Sequence, residues 1–408
     1  MNCRFCGKKL THEFIDLVNA PPSNAFLTKK KLNEPELFYP LKLFVCDSCF
    51  LVQIAEYKKS SDIFNSEYVY FSSFSNTWLS HAKNYVEMMI EKFGYDHNSH
   101  VVEIASNDGY LLQYFKERGI PSLGIEPAEG TAFEARKKEI ETIVDFFGKK
   151  LAQSLADQDK RADLLIGNNV LAHVPDLNDF VAGLKIALKP AGIITMEFPH
   201  LMQLVDNCQF DTIYHEHFSY LSFMTVRSIF KHHGLDLFDV EELPTHGGSL
   251  RIFAKHAEDL ARKISKNVGG LLEKELSRNL DTIAYYRDFQ SKADQIKYDL
   301  LKFLIEQKES GRKVVAYGAA AKGNTLLNYC GVRKDLLPFV ADISPHKQGK
   351  YLPGTHITVV SEDEIKKNKP DFVLILPWNI KGEIVAQLDY IRSWKGKFII
   401  PIPNIQVM

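Results

Sequence analysis

Cysteine is scarce in this chain, six in 408 residues, and four of the six fall into two C-x-x-C pairs. No run of about 18 apolar residues occurs, so no membrane-spanning helix is expected. The start, MNCRFCGKKL, lacks the basic-then-apolar plan of a secretory signal. An excess of either charge is missing as well: 50 Lys+Arg against 51 Asp+Glu leave a net charge of −1. That balance gives no electrostatic reason for nucleic acid or an anionic membrane to be the main partner. Together these absences predict a cytoplasmic protein. Low-complexity tracts and short-period repeats are also missing, and 408 residues exceed one ordinary core, so two or three domains are expected.

What is present begins with those cysteines. Cys3 and Cys6 form one pair in NCRFCGKK, and Cys46 and Cys49 form another in VCDSCFLVQ. Two such knuckles, about 40 residues apart, read as a tetrahedral four-thiolate zinc site. Disulfides are disfavoured in a reducing compartment, and redox C-x-x-C motifs do not usually come in pairs. Four sulfurs leave no open coordination position, so this zinc is expected to staple a small domain rather than to catalyse. Cys208 and Cys330 stand alone as ordinary core or surface thiols.

The first 60 residues are rich in short β-like pieces and turn residues such as NAPPSNAF. An amphipathic helix follows through LSHAKNYVEMMIEKFG, and from HVVEIASNDGYLLQYFKERG the register alternates strand and helix. This alternation predicts a doubly wound α/β sheet with ligands at the carboxyl ends of its strands. A charged helical stretch, roughly 257 to 310 and broken by VGG, leads into a second, smaller α/β unit (KVVAYGAAAKGNTLLNYC, LPFVADISPHKQGKYLPG, DFVLILPW). The expected division is 1–60, 61–255 and 256–408.

VVEIASNDGYLL reads as a strand, a tight turn and a helix. The turn Ala105-Ser106-Asn107-Asp108-Gly109 has one glycine where a dinucleotide fingerprint wants three, which counts against NAD. S-adenosylmethionine carries an ammonium and a sulfonium instead of phosphate, and acidic groups suit it. Glu103 and Asp108 lie near the turn. Glu126, with Pro127 after it, ends the next strand and can accept from ribose hydroxyls. Asp145, Phe146 and Phe147 can bracket an adenine, and Asn168 and Asn169 close the fourth strand. A Rossmann-like domain with no cofactor is the plainer alternative.

IYHEHFSYLS, residues 213–222, concentrates proton-handling groups. With the other segments in hand, the chain resembles the S-adenosylmethionine-dependent C-methyltransferases of nucleotide-linked 4-keto-6-deoxysugars, including the C-3 methyltransferases, over essentially its whole length. The segments that carry the likeness are the two knuckles ending in CFLVQ, then SEYVYFSSFS, VVEIASNDGYLL, GIEPA, NVLAHVPD, YHEHFSYLS, HGGSLR and YGAAAKGNTLLN. The resemblance implies a small zinc domain, a central Rossmann-like methyltransferase domain and a second, smaller Rossmann-like domain that helps hold the nucleotide sugar. Ala105 stands where methyltransferases generally have glycine.

Methylating a sugar carbon needs a carbon nucleophile, obtained by removing the acidic proton beside a ketone, so a base and donors for the developing oxyanion are required. Imidazole titrates in the useful range, and the resemblance places His217 in the role of base. It also places Tyr214, Tyr68 and His173 around the keto oxygen and the returning proton. Glu216 then orients the base or binds sugar hydroxyls, and Ser72 and Ser73 contact sugar or diphosphate. Lys322 suits a diphosphate, Asn324 follows it in the same motif, and Trp378 can stack on a base or sugar. His246 and Arg251 reach the sugar or bridge domains. Competing readings are a metal site at His215 and His217, with His215 otherwise a structural hydrogen-bonder. At the level of the whole chain the competitors are an NAD-dependent or isomerising sugar enzyme and a zinc-ribbon nucleic-acid binder. A monomer or weak dimer is expected.

Overall fold

Residues 12–54 hold short strand-like pieces, and within 39–45 buried and half-exposed side chains alternate, the pattern of a strand with one wet face. In a computed structural model of the protein, which describes residues 1–59 and 71–408, they pair antiparallel as β1 (His12–Ala20), β2 (Tyr39–Val45) and β3 (Val52–Ile54). The knuckles flank this sheet: Cys3 and Cys6 precede β1, and Cys46 and Cys49 sit in the β2–β3 turn.

The next strands, β4 (Val101–Ile104), β5 (Ser122–Ile125), β6 (Thr142–Ile143), β7 (Ala162–Asn168) and β8 (Leu188–Pro199), are mostly buried on both faces. Such runs demand a sheet covered on both sides, and these five are parallel. After β9 (Ser219–Tyr220), the hairpin β10 (Leu235–Leu243) and β11 (Ser249–His256) adds antiparallel to β8. The resulting seven-stranded order is β10-β11-β8-β7-β4-β5-β6. Strand order reverses beside β4, so the ligand crevice of this sheet opens between the carboxyl ends of β4 and β7.

The third sheet contains β12 (Val314–Tyr317), β13 (Phe339–Ala341), β14 (Thr358–Val360), β15 (Phe372–Ile375), β16 (Lys397–Ile400) and β17 (Gln406–Val407), in the order β14-β13-β12-β15-β16-β17. All pairs are parallel except β16–β17. Its order reverses beside β12, giving a second crevice at the carboxyl ends of β12 and β15.

One expectation needs correction. Gly269 and Gly270 do not break the helical stretch; they lie inside the helix Lys266–Ser277, where a Cβ would meet nothing within 4 Å. The break comes at Asn279, left-handed at φ 60°, before the long helix Phe289–Glu309. The parts also interleave. β9, from the middle of the chain, pairs with β3 of the zinc module. Phe14 of β1 stacks on Phe289 at 4.6 Å, so the zinc module is wedged against both larger sheets.

Candidate active site

After Ile104 the chain must leave the sheet within a few residues, and it does so through Ala105 (φ 55°), Asn107 (φ 51°) and Gly109 (φ 73°). A left-handed residue with a Cβ costs about 1–2 kcal/mol, which is why glycine is common at such a turn. Gly109 has a second reason: a Cβ there would sit 2.4 Å from Ile140 Cδ1. Glu126 braces the turn by accepting from Asn107 N and Ala128 N, both at 2.9 Å. Each carboxylate oxygen keeps a further lone pair for hydroxyl donors.

The turn opens into a cleft of about 1610 Å³ lined by all three parts of the chain. Ala105, Asn107, Glu126, Pro127, Asp145, Phe146, Phe147, Asn168 and Asn169 line it. Neither Asn168 side-chain atom, nor Asn169 Oδ1, has a hydrogen-bond partner among the described residues. Buried amides left in this way are satisfied by something that enters. Glu103, Ser106, Asp108 and Gly109 do not line the cleft. They are packed behind the turn, and burial pushes the Glu103 carboxyl well above the usual range. Unpartnered amides, a braced carboxylate and exposed Phe146 suit the ribose and adenine of S-adenosylmethionine.

IYHEHFSY is anchored on three sides. Phe218 N donates to Ala172 O, Ile54 N donates to Phe218 O, and β9 joins β3. His217 Nδ1 lies 3.1 Å from Thr212 O. A carbonyl only accepts, so Nδ1 carries the hydrogen and Nε2 is bare. Burial, with His173 adding repulsion, drives the His217 pKa well below 6.5, and burial takes His173 to about 4. The His217 ring lies 4.1 Å from that of Tyr214 and 4.6 Å from that of His173. Glu216 accepts from Asn24 Nδ2 at 2.8 and 3.0 Å, and burial raises its pKa to about 7. His215 Nε2 donates to Pro40 O. Each of the two histidines thus turns one ring nitrogen to a carbonyl. The one group of three or more metal-binding side chains among the described residues is the four cysteines.

His246, left-handed at φ 54°, accepts from Asn169 Nδ2 at its Nε2 (3.1 Å) and lines the cleft beside Lys322 and Ser72. Four other expected substrate contacts are corrected. Arg251 on β11 is spent on Glu197 and Glu241 at 3.0 and 3.1 Å. Asn324 is buried and donates to Ser23 O. Ser73 accepts from Lys138 Nζ at 2.9 Å. Trp378 turns its Nε1 to Asp211 Oδ2 at 2.7 Å. None of the four lines the cleft. Tyr68 lies outside the described residues. Asn24, Asp211 and Asn379 were not singled out as site residues from the sequence. A carboxylate six residues before His217 was the one available signal, whereas Asn24 looks like any turn residue.

The two knuckles are copies of one geometry. Gly7 N donates to Cys3 O and Phe50 N to Cys46 O, each at 2.9 Å, and Gly7 and Phe50 are left-handed at φ 75° and 56°. The four sulfurs lie within 4.8 Å of one another, with Cys3–Cys49 and Cys6–Cys46 at 3.5 Å. Zn–S bonds of about 2.3 Å require a tetrahedral edge of about 3.8 Å, which these spacings fit. Gln53 Nε2 donates to Cys3 Sγ at 3.2 Å, as a thiolate would require.

A parallel sheet closed by a reversed hairpin, with a braced carboxylate and unpartnered amides at its switch point, defines a Rossmann-like methyltransferase. Family models match along the chain: a zinc binding domain over residues 3–64, a methyltransferase domain over 78–240, and the C-methyltransferase C-terminal domain over 244–403. C-methyltransferase NovU of Streptomyces niveus is 31% identical over 406 residues, covering 100% of this chain and 96% of NovU. The chain belongs to the C-methyltransferase family. Among solved structures, the PH0226 protein of Pyrococcus horikoshii OT3 is 16% identical at a TM-score of 0.37, covering 49% of this chain and 99% of its own. An S-adenosylmethionine dependent methyltransferase of Mesorhizobium loti is 13% identical at a TM-score of 0.36, covering 44% and 100%. Among the described residues no helix is long and apolar enough to cross a membrane. Family membership displaces the oxidoreductase and nucleic-acid readings.

Proposed function

We propose that this C-methyltransferase acts on a nucleotide-linked 4-keto-6-deoxysugar, transferring the methyl of S-adenosylmethionine to a ring carbon beside the ketone. The observation that carries the reading is His217: a half-buried, neutral imidazole with a bare Nε2, in a cleft shared by both switch points. S-adenosylmethionine supplies an electrophilic methyl on a sulfonium. Glu126 with Asn168, and Asp145 with Phe146 and Phe147, hold its ribose and adenine. His217 Nε2 takes the proton next to the ketone, leaving an enolate. Tyr214 and His173, in ring contact with His217, serve the keto oxygen and the return of the proton. Glu216, partly protonated near neutral pH because of burial, presents a hydroxyl to the sugar while Asn24 fixes its direction. Lys58, Lys59 and Lys350 rim the same cleft and suit a diphosphate. The four-thiolate zinc is structural.

The test is mass spectrometry of nucleotide 4-keto-6-deoxysugars incubated with the protein in heavy water, with and without S-adenosylmethionine. A methyl mass gain that requires the methyl donor, with deuterium uptake in its absence, is the expected pattern. Neither change on any sugar of the panel would refute the substrate class.

A further inference from the structure

A cation lines the same cleft as His217. Lys322 is the second residue of the helix Ala321–Cys330, which starts past the carboxyl end of β12 at the C-terminal switch point. Its Nζ donates to Asn379 Oδ1 at 2.6 Å and lies 4.6 Å from the ring centroid of Trp378. Trp378 is fixed in turn by Asp211. No carboxylate of the described residues forms an ion pair with Nζ. One turn along the same helix face, Thr325 Oγ1 donates to Ile213 O at 2.8 Å. That bond docks the face bearing Lys322 onto the segment whose Thr212 carbonyl holds His217. Lys322, Tyr214, His217 and His246 all line one cleft.

We propose that Lys322 is a catalytic residue whose ammonium contacts the keto oxygen of the substrate and holds the charge that forms there when His217 takes the neighbouring proton. This rests on the substrate reading above. In the step, the C–H bond breaks and its electron pair becomes the new C=C bond. The carbonyl π pair moves onto oxygen, and the proton ends on His217 Nε2. Lys322 keeps its three protons and donates one hydrogen bond. When the carbon takes the methyl of S-adenosylmethionine, a C–C bond forms, the S–CH3 bond breaks to a neutral thioether, and the pair on oxygen returns to the carbonyl.

The setting favours this role over phosphate binding. Phosphate can be met by the rim lysines, whereas Lys322 is desolvated and neighbours the base. A lone ammonium in low dielectric acts most strongly on charge that appears only in the transition state. Burial lowers the Lys322 pKa, Asp211 offsets this, and Lys322 in turn depresses His217 and His246. Asn379 and Trp378 are positioning residues that aim it.

The experiment compares wild type, Lys322→Ala and Lys322→Met on a ketosugar that wild type processes, following deuterium uptake without methyl donor and methylation with it. Binding of S-adenosylmethionine reports that each variant is folded, and Met keeps the stem packed on Trp378. Both variants are expected to slow both reactions by about 10²–10³-fold, through kcat rather than KM. Ethylammonium is expected to restore part of the rate of Lys322→Ala, which a structural defect would not allow. A raised KM with kcat intact would make Lys322 a phosphate clamp and overturn the proposal, as would an unchanged rate. A wild type inactive in both assays would overturn the substrate reading instead.

Discussion

Replacing His217 separates its chemical role from its structural one. Its Nδ1–H satisfies the Thr212 carbonyl at 3.1 Å, Nε2 carries no hydrogen, and the residue lines the cleft. His217→Asn can place an amide N–H near the Nδ1 position but has no basic nitrogen. His217→Ala removes both. Losing a general base costs about 10²–10⁴ in rate, so both variants should fall by that factor in deuterium uptake and in methylation. Leaving a buried carbonyl unpaired costs about 1–3 kcal/mol, so only the alanine variant should lose stability of that order, read by thermal unfolding. Affinity for S-adenosylmethionine should hold in both, because the residues assigned to the donor lie on the other sheet's turn. A His217→Asn enzyme that exchanges deuterium at the wild-type rate would refute the assignment of the base.

Three further outcomes follow from the geometry. Cys46→Ser, or chelation of the metal, should lower the unfolding temperature and the rate together, because β3 of the zinc module pairs with β9 inside the proton-handling stretch; metal analysis should find one zinc per chain, and a stable variant with only a catalytic defect would contradict the structural role. Glu126→Ala should weaken S-adenosylmethionine binding by roughly 10–100-fold, since hydrogen bonds to a charged group are worth about 1.5–3 kcal/mol; unchanged affinity by calorimetry would remove Glu126 from the donor site. Glu216 has its folded pKa raised from 4.5 to about 7, so the stability it provides is present below pH 4.5 and is lost as pH rises through about 7. Glu216→Gln removes that dependence, and its stability relative to wild type should rise by up to roughly 3 kcal/mol between pH 4.5 and 8. A difference independent of pH in chemical unfolding would show that Glu216 is ionised in the fold.

The sequence by itself determined the zinc knuckles, the two α/β units and the turn after β4, because each is a local pattern. Thiolate spacing, buried parallel runs and turn chemistry act over a few residues. It also pointed to the proton-handling stretch at 213–222. The tertiary structure decided which side of each element faces the cleft. Glu103 and Asp108 flank the donor turn in sequence, yet they pack behind it while Asn107 faces in. Arg251, Asn324 and Trp378 are strand- and helix-end residues of the right chemistry, but their polar atoms are taken by Glu197, Ser23 and Asp211. Contacts between residues more than 100 positions apart, such as Asn24 with Glu216 or Thr325 with Ile213, leave no periodic trace. They form only when three sheets pack, and that packing brings His217, the turn after β4 and Lys322 into one cleft.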